Sequence, residues 1–370
     1  MTVLMAAHNG EPFIGRTIRS VLDQSFRDFE LLIVDDGSSD GTGAVVKTFT
    51  DGRVRLLSLP VNVGLSSALN LGLGASRGAL IARQDHDDPS DPRRLELQVG
   101  FLDRHQDVAL LGSRAWLIDE RDRRIGSVDR CLEDVSIRWY HLVDNPFIHS
   151  SVMFRRKVVW EDLGGYNRLM RSSEDYDLWS RVLQHHRAAN LPDRLLSYRL
   201  VTSSKMALDE EALAADPSRA IYPQTLRGIV AANISRQFGT RVVSDEDAAA
   251  MGGFVLGVPA GSVPRFTSVF GTLLDHFEAQ YPDCWQSRDF RRTVALQLDA
   301  IACRITPASR TQALRVYAAG LRRHPVLAGS LPWAKVTGSV LGGGRLRALA
   351  ARTRRHAVAK ARDGSVRLPS

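Results

Sequence analysis

The sequence predicts an α/β fold built on a mostly parallel central sheet and followed by a helical region. Three observations predict it. Short apolar runs alternate with helix-patterned segments across the first 85 or so residues. Each apolar run ends in a polar cluster. From about Lys205 alanine becomes frequent, the carboxylate clusters stop and the pattern is helical throughout. Alternation of this kind means parallel strands joined by right-handed crossovers. The expected division is residues 1–204 as the α/β domain, 205–340 as a helical region and 341–370 as a basic tail.

Val3 to Ala7 reads as the first strand and stops at the polar turn His8-Asn9-Gly10-Glu11-Pro12. A helix follows from Pro12, with Ile14, Ile18, Val21 and Leu22 on one face. Phe29 to Val34 is the second strand, nearly all apolar at its end, as a sheet covered on both faces requires. It runs into Asp35-Asp36-Gly37-Ser38-Ser39-Asp40-Gly41-Thr42 and then a second helix bearing Val45, Val46 and Phe49. Val54 to Leu59 is the third strand, and a helix spans Ser66 to Ala75.

Ala79 to Ala82 opens the fourth strand, which leads into Arg83-Gln84-Asp85-His86-Asp87-Asp88. Three carboxylates lie within four positions. Like charges this dense repel one another, and a hard divalent cation such as Mg²⁺ or Mn²⁺ is a natural partner for oxygen ligands. A solvated acidic turn is the competing reading. Asp91-Pro92 suggests a helix start, with Asp as N-cap and Pro at the first helical position; that helix extends to about His105.

Val108 to Leu111 and Ala115 to Ile118 read as strands separated from later elements by the charged turn Arg121 to Arg124. Asn145 to Phe154 mixes a turn with a strand, and Leu163 to Asn167 is a glycine turn. Ser172-Ser173-Glu174-Asp175 opens a helix with serines available to cap it. His185-His186 reads as a polar helix face and Asp193 to Arg199 as a short strand. Trp116, Trp139, Trp160 and Trp179 read as core. Further helices are expected at 207–215, 224–238, 245–251, 268–280, 288–303 and 310–322, with a loop at 257–264.

In a parallel α/β sheet ligands bind beyond the carboxyl ends of the strands. The clusters at His8 to Glu11, Asp35-Asp36 and Asp85 to Asp88 therefore converge on one edge. Taken singly, Asp35-Asp36 could be an Asx turn and Glu174-Asp175 first-turn acids favouring the helix dipole.

Composition narrows the classes. Hydrophobic residues are 44% and charged residues 24%, ordinary for a globular protein. Cys131, Cys284 and Cys303 show no metal or disulfide spacing, so a reducing compartment is expected. The first residues lack a basic n-region, so no signal peptide is expected, and no long apolar run predicts a transmembrane helix. The net charge of +8 is concentrated in Arg345, Arg347, Arg352, Arg354, Arg355, Lys360, Arg362 and Arg367. That tail lacks interleaved aromatics, so nucleic acid is not the expected partner. It could form an amphipathic helix on an anionic membrane surface or stay a solvated tail.

The motifs Ala6 to Glu11, Val34 to Thr42, Ala82 to Asp88 and Ser173 to Trp179, in this order and spacing, resemble the family 2 glycosyltransferases of the GT-A fold. The resemblance covers roughly residues 1–200. It implies an inverting enzyme that takes a nucleotide-diphospho-sugar and a divalent metal, Mn or Mg, and acts on a glycan or lipid-linked acceptor in the cytoplasm or at the inner membrane face. By position, Asp36 would bond the nucleotide base, usually uracil, and Asp85 would sit by the ribose and sugar. Asp87 would ligate the metal, with Arg83 and Glu11 beside the nucleotide. Asp175 would be the catalytic base, and His149 and Glu174 would lie on the acceptor side. The family usually has an aromatic ring on the base where this chain has His8. A nucleotidyltransferase would want a basic, glycine-rich loop after the first strand, which His8 to Pro12 lacks. A non-catalytic sugar-nucleotide-binding or scaffold protein would be expected to lose Glu174-Asp175, which are present.

Overall fold

The computed structural model describes residues 1–170, 172–201, 221–238, 242–244, 246–248, 251 and 263–305. The chain divides into two compact units, Met1–Gln237 and Phe238–Ser370. The expected helices at 207–215 and 310–322 and the basic tail lie outside the described residues.

The first unit alternates as expected: β1 (Thr2–Ala7), α1 (Glu11–Leu22), β2 (Glu30–Asp35), α2 (Thr42–Lys47), β3 (Val54–Ser58), α3 (Leu65–Ala75), β4 (Leu80–Asp85) and α4 (Arg94–Arg104). The order β3-β2-β1-β4 is parallel throughout, and β1 lies between β2 and β4. Ala7 is paired with Asp35 and Ala6 with Asp85, so three strands end level with one another. Beyond β4 the sheet turns antiparallel through β7 (Met153–Arg155), β5 (Val108–Ile118) and β6 (Arg124–Val128). β8 (Arg187–Arg199) pairs with β5 in parallel. α5 (Asp134–His141) and α6 (Glu174–Val182) complete the unit.

Two apolar layers cover the sheet. One packs α3 and α6 against Leu4, Ala6, Leu32, Val34 and Ile81; the other packs α1 and α4 against Val3, Met5, Ala7, Leu31 and Ile33. Alternate residues of β1 thus enter opposite layers, as the two-residue strand period demands. Both faces being covered explains why β1 is buried at all six positions.

Several local expectations change. β4 runs on through Arg83, Gln84 and Asp85, because Arg83 N–H still bonds to the Val152 carbonyl at 2.9 Å. The two short runs at 108–118 are one strand, and β8 starts six residues earlier than Asp193. α4 begins at Arg94; Asp91 accepts from Arg93 N–H and Arg94 N–H in the turn before it. Ser173 precedes α6 with φ 57° and makes no side-chain cap; that left-handed backbone is not the extended one a capping serine adopts. His185 and His186 fall in the turn after α6. Trp139 and Trp179 are fully buried, whereas the partly buried Trp116 has the guanidinium groups of Arg124 and Arg194 over its ring.

Beyond β8 the described helices are α7 (Ile221–Phe238), α8 (Val263–Gln280) and α9 (Arg288–Ile305). Val263 and Pro264, expected in the loop, are helical; the rest of that expected loop lies outside the described residues. In the second unit Phe277 stacks on Tyr281 and Phe290 and holds α8 against α9.

Candidate active site

Three loops leave the ends of β1, β2 and β4 and interlock. The β1 loop is pinned by backbone donors: Asn9 N–H bonds to Ser38 Oγ at 3.0 Å and Gly10 N–H to Thr42 Oγ1 at 2.8 Å. Glu11 accepts from Gly41 N–H at 2.9 Å. His8 Nδ1 donates to the Asp36 carbonyl at 2.8 Å; a carbonyl only accepts, so that nitrogen carries the proton. Gly10 is required here, because a Cβ would meet the His86 ring at 2.5 Å. The first loop and the acidic loop are therefore in contact.

Asp36 is buried and its carboxylate is occupied. Oδ1 accepts from Val63 N–H at 2.7 Å and Oδ2 from Gly64 N–H at 3.0 Å. These bonds hold the turn before α3 against the β2 loop. Each oxygen keeps a second lone pair for another donor.

The acidic loop follows β4. Asp85, Asp87 and Asp88 each bring a carboxylate oxygen within 4.8 Å of the others. Their surroundings differ. Asp85 is ion-paired with Arg83, whose side chain is almost wholly buried. Burial opposes the Arg83 charge, but Asp85 outweighs it and keeps the guanidinium firmly protonated. Asp88 is buried; it accepts from Ser150 Oγ and, at 2.7 Å, from Arg199 N–H. Burial first, and then the charge of neighbouring aspartates, raises the pKa of both Asp87 and Asp88.

Two buried arginines hold this loop without neutralising it. Arg94 bonds to Gln84 Oε1 at 2.8 Å, Ser90 Oγ at 3.0 Å and the Arg83 carbonyl at 2.7 Å. Arg199 Nε bonds to the Asp87 carbonyl at 2.9 Å.

A second pair of carboxylates opens α6. Asp175 accepts from Asn145 Nδ2 at 2.7 Å and from Tyr176 N–H at 2.8 Å. Burial, reinforced by the adjacent Glu174 charge, pushes its pKa up to about 7. His149 Nε2 meets Tyr166 Oη at 2.9 Å, and its ring leans edge-on to Trp179. Burial and the charge of Arg83 keep His149 neutral, well below its usual pKa. Tyr166 is itself set by Asn70, which bonds to both its N–H (2.8 Å) and its carbonyl (2.7 Å). The preceding Gly165 has φ 76°, and a Cβ there would strike Asn70 Oδ1.

The structure thus places His8 and Asp36 on the loops after β1 and β2, Glu11 at the start of α1, Arg83 and Asp85 at the end of β4 and Asp87 on the loop beyond it, while Arg83 acts electrostatically on Asp175 and His149. Sequence reading missed Asn70, Arg94, Asn145, Tyr166 and Arg199. Only Asn145, lying before Pro146 in a polar turn, carried any local signal.

An all-oxygen cluster at the carboxyl edge of a parallel sheet, with a separate carboxylate of raised pKa, suits transfer to a hydroxyl. Comparison with known proteins decides the family. The family model described as glycosyl transferase family 2 matches residues 2–163. EpsE of Bacillus subtilis, provisionally named a glycosyltransferase, is 36% identical over 54% of this chain and 72% of its own. The O-antigen biosynthesis glycosyltransferase WbnJ of Escherichia coli is 33% identical over 55% of this chain and 81% of its own.

The chain belongs to glycosyltransferase family 2. The amylovoran biosynthesis glycosyltransferase AmsE of Erwinia amylovora is a further relative, 32% identical over 54% of this chain and 75% of its own. Among solved structures, S. aureus TarS 1-349 in complex with UDP-GlcNAc superposes with a TM-score of 0.52, at 14% identity, over 89% of this chain and 90% of TarS. That likeness shows the GT-A fold for this family 2 glycosyltransferase. Among the described residues no helix is long and apolar enough to cross a membrane.

Proposed function

We propose that this glycosyltransferase moves a sugar from a nucleotide-diphospho-sugar, a UDP-sugar, to a hydroxyl of a glycan or lipid-linked acceptor, with inversion, in cell-surface polysaccharide synthesis. The observation that carries the reading is the separation of two carboxylate groups. Asp85, Asp87 and Asp88 cluster within 4.8 Å of one another, while Asp175 stands apart on α6 with a pKa near 7. Relatives named for O-antigen and amylovoran biosynthesis support the polysaccharide setting. TarS, whose fold this chain shares, is crystallised with UDP-GlcNAc and supports the UDP-sugar.

In this reading His8, Glu11, Asp36, Arg83 and Asp85 form the donor site. His8 lies against the base with its tautomer fixed by the Asp36 carbonyl. Arg83, with a buried Nε that has no acceptor among the described residues, turns a cation toward the donor. The donor set fits a hard divalent cation: it is all oxygen, and among the described residues the Asp87 carboxylate has no side-chain bond of the kind that engages Asp85 and Asp88. Asp87, assisted by Asp85, would hold Mn²⁺ or Mg²⁺, which supplies Lewis-acid stabilisation of the leaving diphosphate.

Asp175 takes the proton from the acceptor hydroxyl as the oxygen attacks the anomeric carbon. A carboxylate with a pKa near the working pH is basic enough to accept that proton and is still ionised in a substantial fraction of molecules. His149 and Glu174 flank this side. His149, neutral and bonded to Tyr166, orients an acceptor hydroxyl without adding charge. Attack from the face opposite the leaving group inverts the anomeric centre.

Calorimetric titration with UDP-, GDP- and TDP-sugars, with and without Mn²⁺, tests the reading. Metal-dependent binding of UDP-sugars, lost in Asp87→Ala and kept in Asp175→Asn, is the expected result. Absence of binding to every donor with metal present would overturn it.

A further inference from the structure

Arg199 ends β8 and its side chain is wholly shielded from solvent. Few arginines are buried this deeply without a ligand or a structural duty. The guanidinium lies 4.6 Å from the centre of the Phe13 ring, at the start of α1. Nε donates to the Asp87 carbonyl at 2.9 Å and Nη1 to the Asp119 carbonyl at 2.7 Å, while Nη2 is paired with Asp122. The backbone N–H of the same residue bonds to Asp88 Oδ1. One residue thus grips two successive members of the acidic loop, one by its carbonyl and one by its carboxylate. It ties them to α1 and to the β5–β6 turn.

The choice of contacts matters. Arg199 takes the carbonyl of Asp87 and leaves its carboxylate untouched. A direct salt bridge would have spent that carboxylate. The bond instead fixes the backbone from which it projects, and Asp88, held by Ser150 and by residue 199, is kept back as a rigid neighbour. The rest of the β8 end reinforces this: Ser197 N–H bonds to the Pro89 carbonyl at 2.8 Å, and Asp91 N–H to the Leu195 carbonyl at 3.0 Å.

We propose that Arg199 is a positioning residue that presets the Asp87 carboxylate for the divalent cation, acting through the loop backbone. The inference rests on the metal-dependent reading above. A planar fork can meet the Asp87 and Asp119 carbonyls at once and stack on Phe13; an ammonium cannot do all three. Groups that orient metal ligands in this way typically change metal affinity by ten- to a hundred-fold when replaced.

The test is Mn²⁺ binding by the full-length protein, followed by electron paramagnetic resonance of the free ion. Arg199→Lys keeps the charge and should weaken Mn²⁺ binding by about tenfold or more. Asp122→Asn removes the ionic partner that Nη2 shares with the exposed Arg16, leaves the Asp87 and Asp119 carbonyl bonds in place, and should stay within about twofold of wild type. Wild-type affinity in a folded Arg199→Lys would overturn the proposal, as would an equal loss in Asp122→Asn, which would mark general loosening. Should Arg199→Lys not fold, Phe13→Leu is read in its place: a threefold or greater loss supports the proposal and unchanged affinity overturns it. Wild-type protein that binds no Mn²⁺ would overturn the metal reading itself and the proposal with it.

Discussion

Asn145 Nδ2 donates to Asp175 Oδ2 at 2.7 Å, and among the described residues this is the side-chain bond that favours the ionised form of that carboxylate. Burial and Glu174 push the other way and win, leaving the pKa near 7. The rate of transfer should therefore rise with pH through about 7 as Asp175 loses its proton. Removing the donor in Asn145→Ala raises the pKa further, so the rising limb should move to higher pH. Asp175→Asn should cost about 10²- to 10⁴-fold in kcat while leaving donor affinity near wild type. A pH–rate profile unaffected by Asn145→Ala would detach this pair from catalysis.

The same shift has a consequence for stability. The folded protein holds the Asp175 proton up to about pH 7, whereas the unfolded chain releases it near 3.8. Between those values the folded state binds more protons, so this group's contribution to stability falls as pH rises. Asp175→Asn abolishes that fall. The variant should gain in Tm relative to wild type on going from pH 4 to pH 8. A Tm difference that does not change over that range would show the carboxyl to be ordinary.

Asp36 combines two duties. Its carboxylate accepts from Val63 N–H and Gly64 N–H, so Asp36→Ala takes that acceptor from Val63 N–H and leaves Gly64 N–H to Asn62 Oδ1 alone. Each hydrogen bond lost costs about 0.5–1.5 kcal/mol, and the turn entering α3 should loosen. Urea unfolding should show a loss of that order, in addition to any change in donor affinity. Unchanged stability would mean that water replaces the carboxylate at no cost.

Much of this was legible in the sequence because strand alternation and strand-end polarity are local signals. β1 to β4 and their helices follow from apolar runs ended by Gly10, Gly37 and Pro89. The acidic loop announced itself by charge density alone. What was hidden is long-range. Asn70 and Tyr166 are 96 residues apart, Asp87 and Arg199 are 112 apart, and Asn145 and Asp175 are 30 apart. An arginine that grips carbonyls reads in sequence like any surface arginine. β4 was read too short for a related reason: Arg83 and Gln84 look like exposed turn residues, yet they are buried because Arg94 and Asp85 meet their polar atoms. Ser173 misled for the opposite reason, since residue type suggests a cap that its left-handed backbone does not permit.

Trp179 shows how the His149–Tyr166 pair depends on the core. It is fully buried and touches the rings of Phe147, His149, Phe154 and Tyr166. Trp179→Ala should cost about 3–5 kcal/mol by cavity formation and free the His149–Tyr166 pair. Trp179→Phe keeps most of the volume and should retain the fold with a smaller loss. Chemical denaturation of the two variants separates the cases; equal losses would show that the indole volume is not what matters.

Asp87 and Asp88 are neighbours with opposite demands, and the contrast gives the sharpest stability test. Asp88 is buried and bonded to Ser150 Oγ and Arg199 N–H. Asp88→Ala should therefore cost about 1–3 kcal/mol through the donors it orphans, whether or not metal is present. Asp87 carries a raised pKa because burial and the Asp85 charge disfavour its ionised form. Its removal relieves repulsion, so Asp87→Ala should match or slightly exceed wild-type stability in a chelator. Added Mn²⁺ should then separate the proteins. A ligand that binds only the native state raises stability by about 2.7 kcal/mol at a hundred times its Kd, so the wild-type Tm should climb with Mn²⁺ while that of Asp87→Ala stays flat. Equal responses to Mn²⁺ in wild type and Asp87→Ala would place the cation elsewhere.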